Sequence, residues 1–181
     1  MKQALRILLL FSLFSFILKN DAFRGPASEY LDWKTFKINN QLPLLCKKVD
    51  LIHLLGNADS IKTPQYEDLC SSYFDAAFTY LFWGESQFES SGNMAVVSSI
   101  DLETGNIKLV SPMITLDNTV TLERIKQIFP IAVKNAESIE VDHKGKVLSL
   151  KVATSKTETD DAWLLFFKNG RLVRIDHWIP C

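Results

Sequence analysis

The stretch AWLLFFKNGRLVRIDHW, residues Ala162 to Trp178, carries the reading of the fold. Ala162 to Phe167 is a short apolar run rich in aromatic residues, and Asn169-Gly170 is the pair that tolerates the positive φ angles of a two-residue hairpin turn. Arg171 to Trp178 then returns as a second strand. Upstream, Val141 leads to the turn His143-Lys144-Gly145 and a strand from Val147 to Val152. The same grammar occurs earlier. Phe74, Ala76, Phe78, Tyr80 and Phe82 alternate with Tyr73, Asp75, Ala77, Thr79 and Leu81, which predicts a strand with one aromatic face, ended by Gly84. Gln87 to Glu89, the turn Ser91-Gly92-Asn93 and the strand Met94 to Asp101 follow. After the turn Glu103-Thr104-Gly105-Asn106, Ile107 to Val110 completes an expected meander of three to four antiparallel strands.

Each meander follows a helical pattern. Pro43 suits the first position of a helix, where a missing N–H costs nothing. Leu44, Leu45, Val49, Ile52 and Leu55 or Leu51 recur at three to four residues, and Gly56 suits the position after its end. Residues 56–66 read as loop. Later, Thr121 can cap a helix bearing Leu122, Ile125, Ile128 and Phe129, with Pro130 limiting its end. Before all this, Tyr30, Trp33 and Phe36 at spacings of three predict a short helix or a segment packed across the domain. A shift of 74 residues places Leu51, Leu54, Leu55 and Ala58 on Ile125, Ile128, Phe129 and Ala132. At 75, Ile100-Asp101 falls on Ile175-Asp176, so an internal repeat is expected. The fold class read from these patterns is α+β, helices packed on antiparallel β-meanders in two tandem helix-plus-sheet units. The units are 44–112 and 113–181, behind an N-terminal segment 23–43.

Composition sets the boundaries of function. The 181 residues are 47% hydrophobic and 23% charged, which describes a chain that can build a core. Twenty basic residues against 21 acidic ones leave no surplus to neutralise a phosphate backbone, so nucleic acid is not an expected partner. Lys2 and Arg6 precede an apolar run from Ile7 to Leu18, then Lys19, Asn20 and Asp21. That is the pattern of a secretory signal, and its apolar part is shorter than the ~20 residues a membrane helix needs. We take residues 1–22 as the signal, with Ala22 as the exit residue and Ala27 as a second option. The expected location is periplasmic or secreted, and no later segment reads as a membrane span. Cleavage would leave 17 basic and 20 acidic residues, and the sequence holds no Asn-x-Ser/Thr sequon.

An oxidising compartment favours pairing two of Cys46, Cys70 and Cys181. Cys46–Cys70 would close a short loop worth about 3 kcal/mol in the chain-entropy model, and a bridge to Cys181 is the alternative. His53, His143 and His177 are scattered, and no catalytic thiol motif joins them to a cysteine. Glu158, Asp160 and Asp161 lack calcium-loop spacing and read as a solvated hairpin loop, and His53 reads as a surface or half-buried residue. Asp176 and His177 are neighbours on one strand and so point to opposite faces. No nucleophile elbow, zinc pair or phosphate-binding loop is present, and neither catalytic residues nor a metal or cofactor is expected. The aromatic residues are expected mostly in the core, with Trp83, Trp178 and Tyr80 as candidates for a binding surface.

The run Leu54-Leu55-Gly56-Asn57-Ala58-Asp59-Ser60, followed by a meander and a second copy, resembles the tandem units of the beta-lactamase inhibitory protein and of the SmpA/OmlA outer-membrane assembly lipoproteins. The resemblance covers roughly residues 44–181, and the lipobox cysteine of SmpA/OmlA has no counterpart here. It implies an exported, non-catalytic module that binds another protein, inhibitor-like or envelope-assembly-like. The alternative is a cone fold, since residues 164–175 also resemble the final hairpin of ketosteroid-isomerase-like proteins. That resemblance implies a small-molecule pocket in which Asp75 or Asp176 would supply the acid.

Overall fold

A computed structural model of the chain describes residues 29–65, 71–157 and 159–181, so the signal segment, Cys70 and Glu158 lie outside the described residues. In chain order the strands are β1 (Lys37–Ile38), β2 (Leu42–Pro43), β3 (Leu45–Lys47), β4 (Ser60–Lys62), β5 (Thr79–Trp83), β6 (Ser86–Ser91) and β7 (Met94–Asp101). They continue as β8 (Leu109–Val110), β9 (Thr115–Leu116), β10 (Glu137–Val141), β11 (Gly145–Ala153), β12 (Ala162–Lys168) and β13 (Arg171–Trp178). The helices are α1 (Lys48–Leu55), α2 (Leu122–Ile128) and α3 (Pro130–Lys134). The architecture is α+β and mainly β, with helices beside antiparallel sheets.

The large sheet runs β10-β11-β12-β13-β7-β6-β5-β4, with β3 added beside β7, and a small sheet runs β2-β1-β8-β9. The hairpin quoted above forms as its sequence dictates: Asn169 and Gly170 hold φ of 51° and 75°, the pair of left-handed residues that a type I′ turn requires. Alternation then sorts the side chains. Leu150, Leu165, Ile175 and Ile100 are successive cross-strand partners through β11, β12, β13 and β7, and each is fully buried. They share one core with Leu51 of α1, Ile125 of α2 and Ala132 of α3. At about 1.5–3 kcal/mol for each large aliphatic side chain, that row fixes which face of the sheet is covered.

The N-terminal segment closes the core from the side. Asp32 caps a single 3-10 turn, Trp33–Thr35, and Tyr30 bridges Ala153. Leu31 and Trp33 donate their N–H groups to Ala153 and Thr154 carbonyls, and buried Trp163 donates its indole N–H to the Leu31 carbonyl at 2.8 Å. The segment packs across the domain, as one of the two sequence readings had it.

A buried ammonium locks one end of the sheet. Lys144, in the turn between β10 and β11, reaches Asp101 at 2.7 Å and Glu85 at 2.8 Å, and also bonds Glu103. Lys144 and Asp101 are almost completely buried. Burial alone would lower the lysine pKa, and the three carboxylates more than reverse that and hold it above its ordinary value.

Several expectations need correction. The helix expected from Leu44 begins only at Lys48, because Leu45-Cys46-Lys47 pairs with β7. Residues 72–78 are not strand: the main chain there has no ladder, and Tyr73 N–H caps the Glu89 carboxylate instead. The segment 56–66 contains β4, and the Ile107 to Val110 run contributes only β8, to the small sheet rather than to the meander. Cys46 is a free, buried thiol, so the Cys46–Cys70 pairing is overturned. Asp161 does not sit in a solvated loop: it holds His177 at 2.9 Å and accepts from Thr154.

Candidate functional site

The row of side chains next to the buried one faces the other way. Lys151, Leu164, Asp176, Ser99, Gln87, Phe82 and Ser60 are successive cross-strand partners from β11 to β4. Beside them run Ser149, Phe166 and Arg174 on one flank and Lys62, Tyr80 and Glu89 on the other. This face carries only a small apolar cluster, Val147, Phe166 and Val173 with their neighbours, and no helix of the described residues contributes to that cluster. Two adjoining concavities occupy the face, and Leu164 and Trp178 line both.

The first is polar, about 290 Å³, and is lined by Tyr80, Gln87, Glu89, Ser99, Arg174 and Asp176 among others. Arg174 grips Asp176 through two bonds, 2.6 and 3.1 Å. Burial raises the Asp176 pKa against the pull of that guanidinium. Burial likewise raises Glu89, opposed by the amides of Tyr73 and Phe74, and it raises the Tyr80 phenol together with the Glu89 charge. The Gln87 amide and the Tyr80 and Ser99 hydroxyls can each donate as well as accept, so this cleft offers both kinds of hydrogen bond to a polar occupant.

The second concavity is larger, about 710 Å³, and mostly apolar, between the α3 end and the β10–β12 surface. Ile131, Ala132, Ile139 and Leu164 line it, and the Lys151 ammonium lies 4.0 Å from the centre of the Trp178 ring at its rim. Glu29 belongs to it too, but both carboxylate oxygens are taken by the Ile131 and Ala132 amides, at 2.7 and 2.8 Å.

Of the surface candidates, the structure brings Tyr80 and Trp178 to the polar cleft, and Trp178 is 37% exposed. Trp83 is not with them: one residue out of phase with Phe82, it points to the covered side, packs on the core and donates its indole N–H to the Gly56 carbonyl. His177 turns away from Asp176, stacking 4.0 Å from Trp33 and bonding Asp161. Burial lowers its pKa, and Asp161 opposes the shift. A histidine held by a carboxylate can activate a nucleophile, yet the Ser71 hydroxyl, which shares the cleft, donates to the Ile179 carbonyl. Asp75 is exposed, away from both concavities, and His53 is exposed on α1.

No family model, curated protein or solved structure matches this chain. The site therefore rests on its own geometry. Reasoning from sequence did not single out Lys151, Leu164, Glu89 or Arg174. The available signal was the period-two alternation of β11, in which Leu148, Leu150 and Val152 face the core while Ser149 and Lys151 do not. Among the described residues no cluster of three metal-ligating side chains occurs, and no helix is long and apolar enough to cross a membrane.

Proposed function

We propose that the chain is an exported, non-catalytic module that binds another protein through the open face of its large sheet. The observation that carries the reading is that face itself: a row of mixed polar and apolar side chains across seven strands, buried at Ser99 in its middle and flanked by Tyr80 and by Trp178, which is 37% exposed. Aromatic residues on a shallow polar surface are the anchors that protein interfaces favour. Export is supported by the signal-like residues 2–21.

The proposal includes two tandem helix-plus-meander units, in keeping with the resemblance to the inhibitory protein and to SmpA/OmlA. Matching contacts support it. Lys48 N–H at the start of α1 donates to the Asn93 carbonyl, in the turn of the β6–β7 hairpin. Leu122 N–H at the start of α2 donates to the Gly170 carbonyl, in the turn of β12–β13. Lys47 stands opposite Met94 as Thr121 stands opposite Arg171. Leu51 and Ile125, 74 residues apart, are both fully buried. The last strands of the two meanders, β7 and β13, join antiparallel at Ile100 and Ile175, as a pseudo-twofold axis between duplicated units requires.

The test is site-specific photo-crosslinking in the periplasmic or secreted fraction. A photoreactive phenylalanine at position 178 or 80 is expected to give a discrete protein adduct. The same group at Val49, which is 66% exposed on α1, is expected to give none. Equal adducts from all three positions, or none from 178 and 80, would refute the reading. The cone-fold small-molecule reading keeps one supporting observation, the carboxyl groups of Glu89 and Asp176 in the polar cleft, whose pKa values burial raises.

A further inference from the structure

The larger concavity has a chemistry of its own. Its volume, about 710 Å³, lies within the roughly 300–1,000 Å³ range of small-molecule sites, and its walls are mainly apolar: Ile131, Ala132, Ile139 and Leu164. Three charged side chains line it, Glu29, Glu137 and Lys151. Glu29 is spent, because its two oxygens accept from the first amides of α3 and serve the fold. Lys151 is not: no carboxylate lies within ion-pair distance of its ammonium among the described residues, and the ammonium stands over the Trp178 ring. Glu137 lines the same concavity, opposite Ser149, which is two residues from Lys151 on β11, and makes no ion pair with Lys151.

We propose that this concavity binds a small amphipathic carboxylate, its apolar body on Leu164 and Ile139 and its acid head on Lys151. The inference goes beyond the protein-binding reading and does not depend on it. An apolar body is called for by the walls, since Ile131, Ile139 and Leu164, which keep part of their surface in water, gain about 25 cal/mol for each Å² an apolar occupant covers. A single acid head is called for by Lys151, the one cation that lines the concavity among the described residues. Trp178 keeps the ammonium in place, so the head group meets a positioned charge rather than a wandering one. A cationic amphiphile would meet Lys151 as a like charge, and a neutral one would gain nothing from it.

The probes are dodecanoate, dodecanol and dodecyltrimethylammonium, below their aggregation concentrations, competing with a fluorescent dansyl fatty acid on the full chain. Saturable binding is expected, with dodecanoate tighter than dodecanol by about three- to fivefold, the worth of one exposed charge contact. Lys151→Met is expected to bring dodecanoate down to the level of dodecanol and leave dodecanol unchanged. Ser149→Trp, which fills the concavity from the open face, is expected to abolish binding of both, with circular dichroism reporting that the sheet is intact. No saturable binding, equal affinity for acid and alcohol, or an unchanged Ser149→Trp variant would each overturn the proposal. The crosslinking experiment reads protein adducts, so its failure and this one are distinguishable.

Discussion

Replacing Lys144 with methionine removes one ammonium from among three carboxylates, and the structure sets the size of the effect. Glu85 and Glu103 are 48% exposed, so each can turn to water and accounts for no more than about 1 kcal/mol. Asp101 cannot. Its side chain is 4% exposed and its Oδ1 bonds Lys144 at 2.7 Å, so the variant leaves a buried, uncompensated charge, a situation that costs about 3–5 kcal/mol. For a domain of this size that is a fall in Tm of about 10 °C. Lys144→Met with Asp101→Asn removes the stranded charge as well, and the coupling energy in a double-mutant cycle is expected to reach about 2 kcal/mol.

The pH dependence of this cluster has a definite sign. The Lys144 pKa is raised, so its contribution is whole below the ordinary lysine value and is lost only as pH climbs through the raised one, far into the alkaline range. The Glu85 pKa is lowered, chiefly by its bond from Lys144. Its contribution is whole above the ordinary carboxylate value and is lost as pH falls through the lowered one. The gap between wild type and Lys144→Met in urea unfolding should therefore be flat around neutrality and narrow in acid. A neutral-pH gap below about 1 kcal/mol, or a gap that does not narrow in acid, would refute the assignment.

Three further outcomes are expected. Burial pushes the Cys46 thiol up to about 11, so it should resist thiol reagents in the native protein. On unfolding without reductant it should be the single reactive cysteine, because the pairing left open is Cys70–Cys181. The bond from Ser71 to the Ile179 carbonyl holds the chain beside each of them together, and three reactive thiols would refute this. The His177 ring should titrate below the ordinary imidazole value by NMR. Since its pKa is depressed, its share of stability is whole above that ordinary value and is lost as pH falls, a loss that His177→Gln should abolish; a midpoint at or above the ordinary value would sink the point. Gly170→Ala, forced to hold a φ of 75°, should cost about 1–2 kcal/mol in urea unfolding, and an unchanged midpoint would show that the turn relaxes.

Where the chain's local chemistry and its tertiary partners agree, the sequence is legible. Asn169-Gly170 admits few conformations, and β13 runs over the residues its pattern indicates, as does β7 behind Gly92. Where a partner distant in sequence decides, the pattern misleads. Leu44, Leu45 and Val49 fit a helix, yet Leu45–Lys47 finds the open side of β7 first. Residues 72–78 alternate like a strand, but without a neighbouring strand their amides turn to Glu89. The open face was legible only through Tyr80 and Trp178. Lys151 looks like any surface lysine until the α3 end is brought beside it, and Lys144 looks like a turn residue until Glu85 and Asp101 arrive from the other meander.

The docking of the N-terminal segment has a consequence for how the chain folds. Leu31 and Trp33 donate to Ala153 and Thr154, and Leu31 accepts from Trp163, partners about 120 to 130 residues away, whereas α1, β5, β6 and β7 meet within about the first hundred residues of the chain. Closing so long a loop is entropically uphill until its contacts form, and topologies of this kind fold slowly. The part of the domain that is synthesised first is thus seated last. Until β11 and β12 exist, Trp33 and Phe36 have no Trp163 to cover them, and a chain halted before residue 163 presents those rings to solvent as a ready target for chaperones.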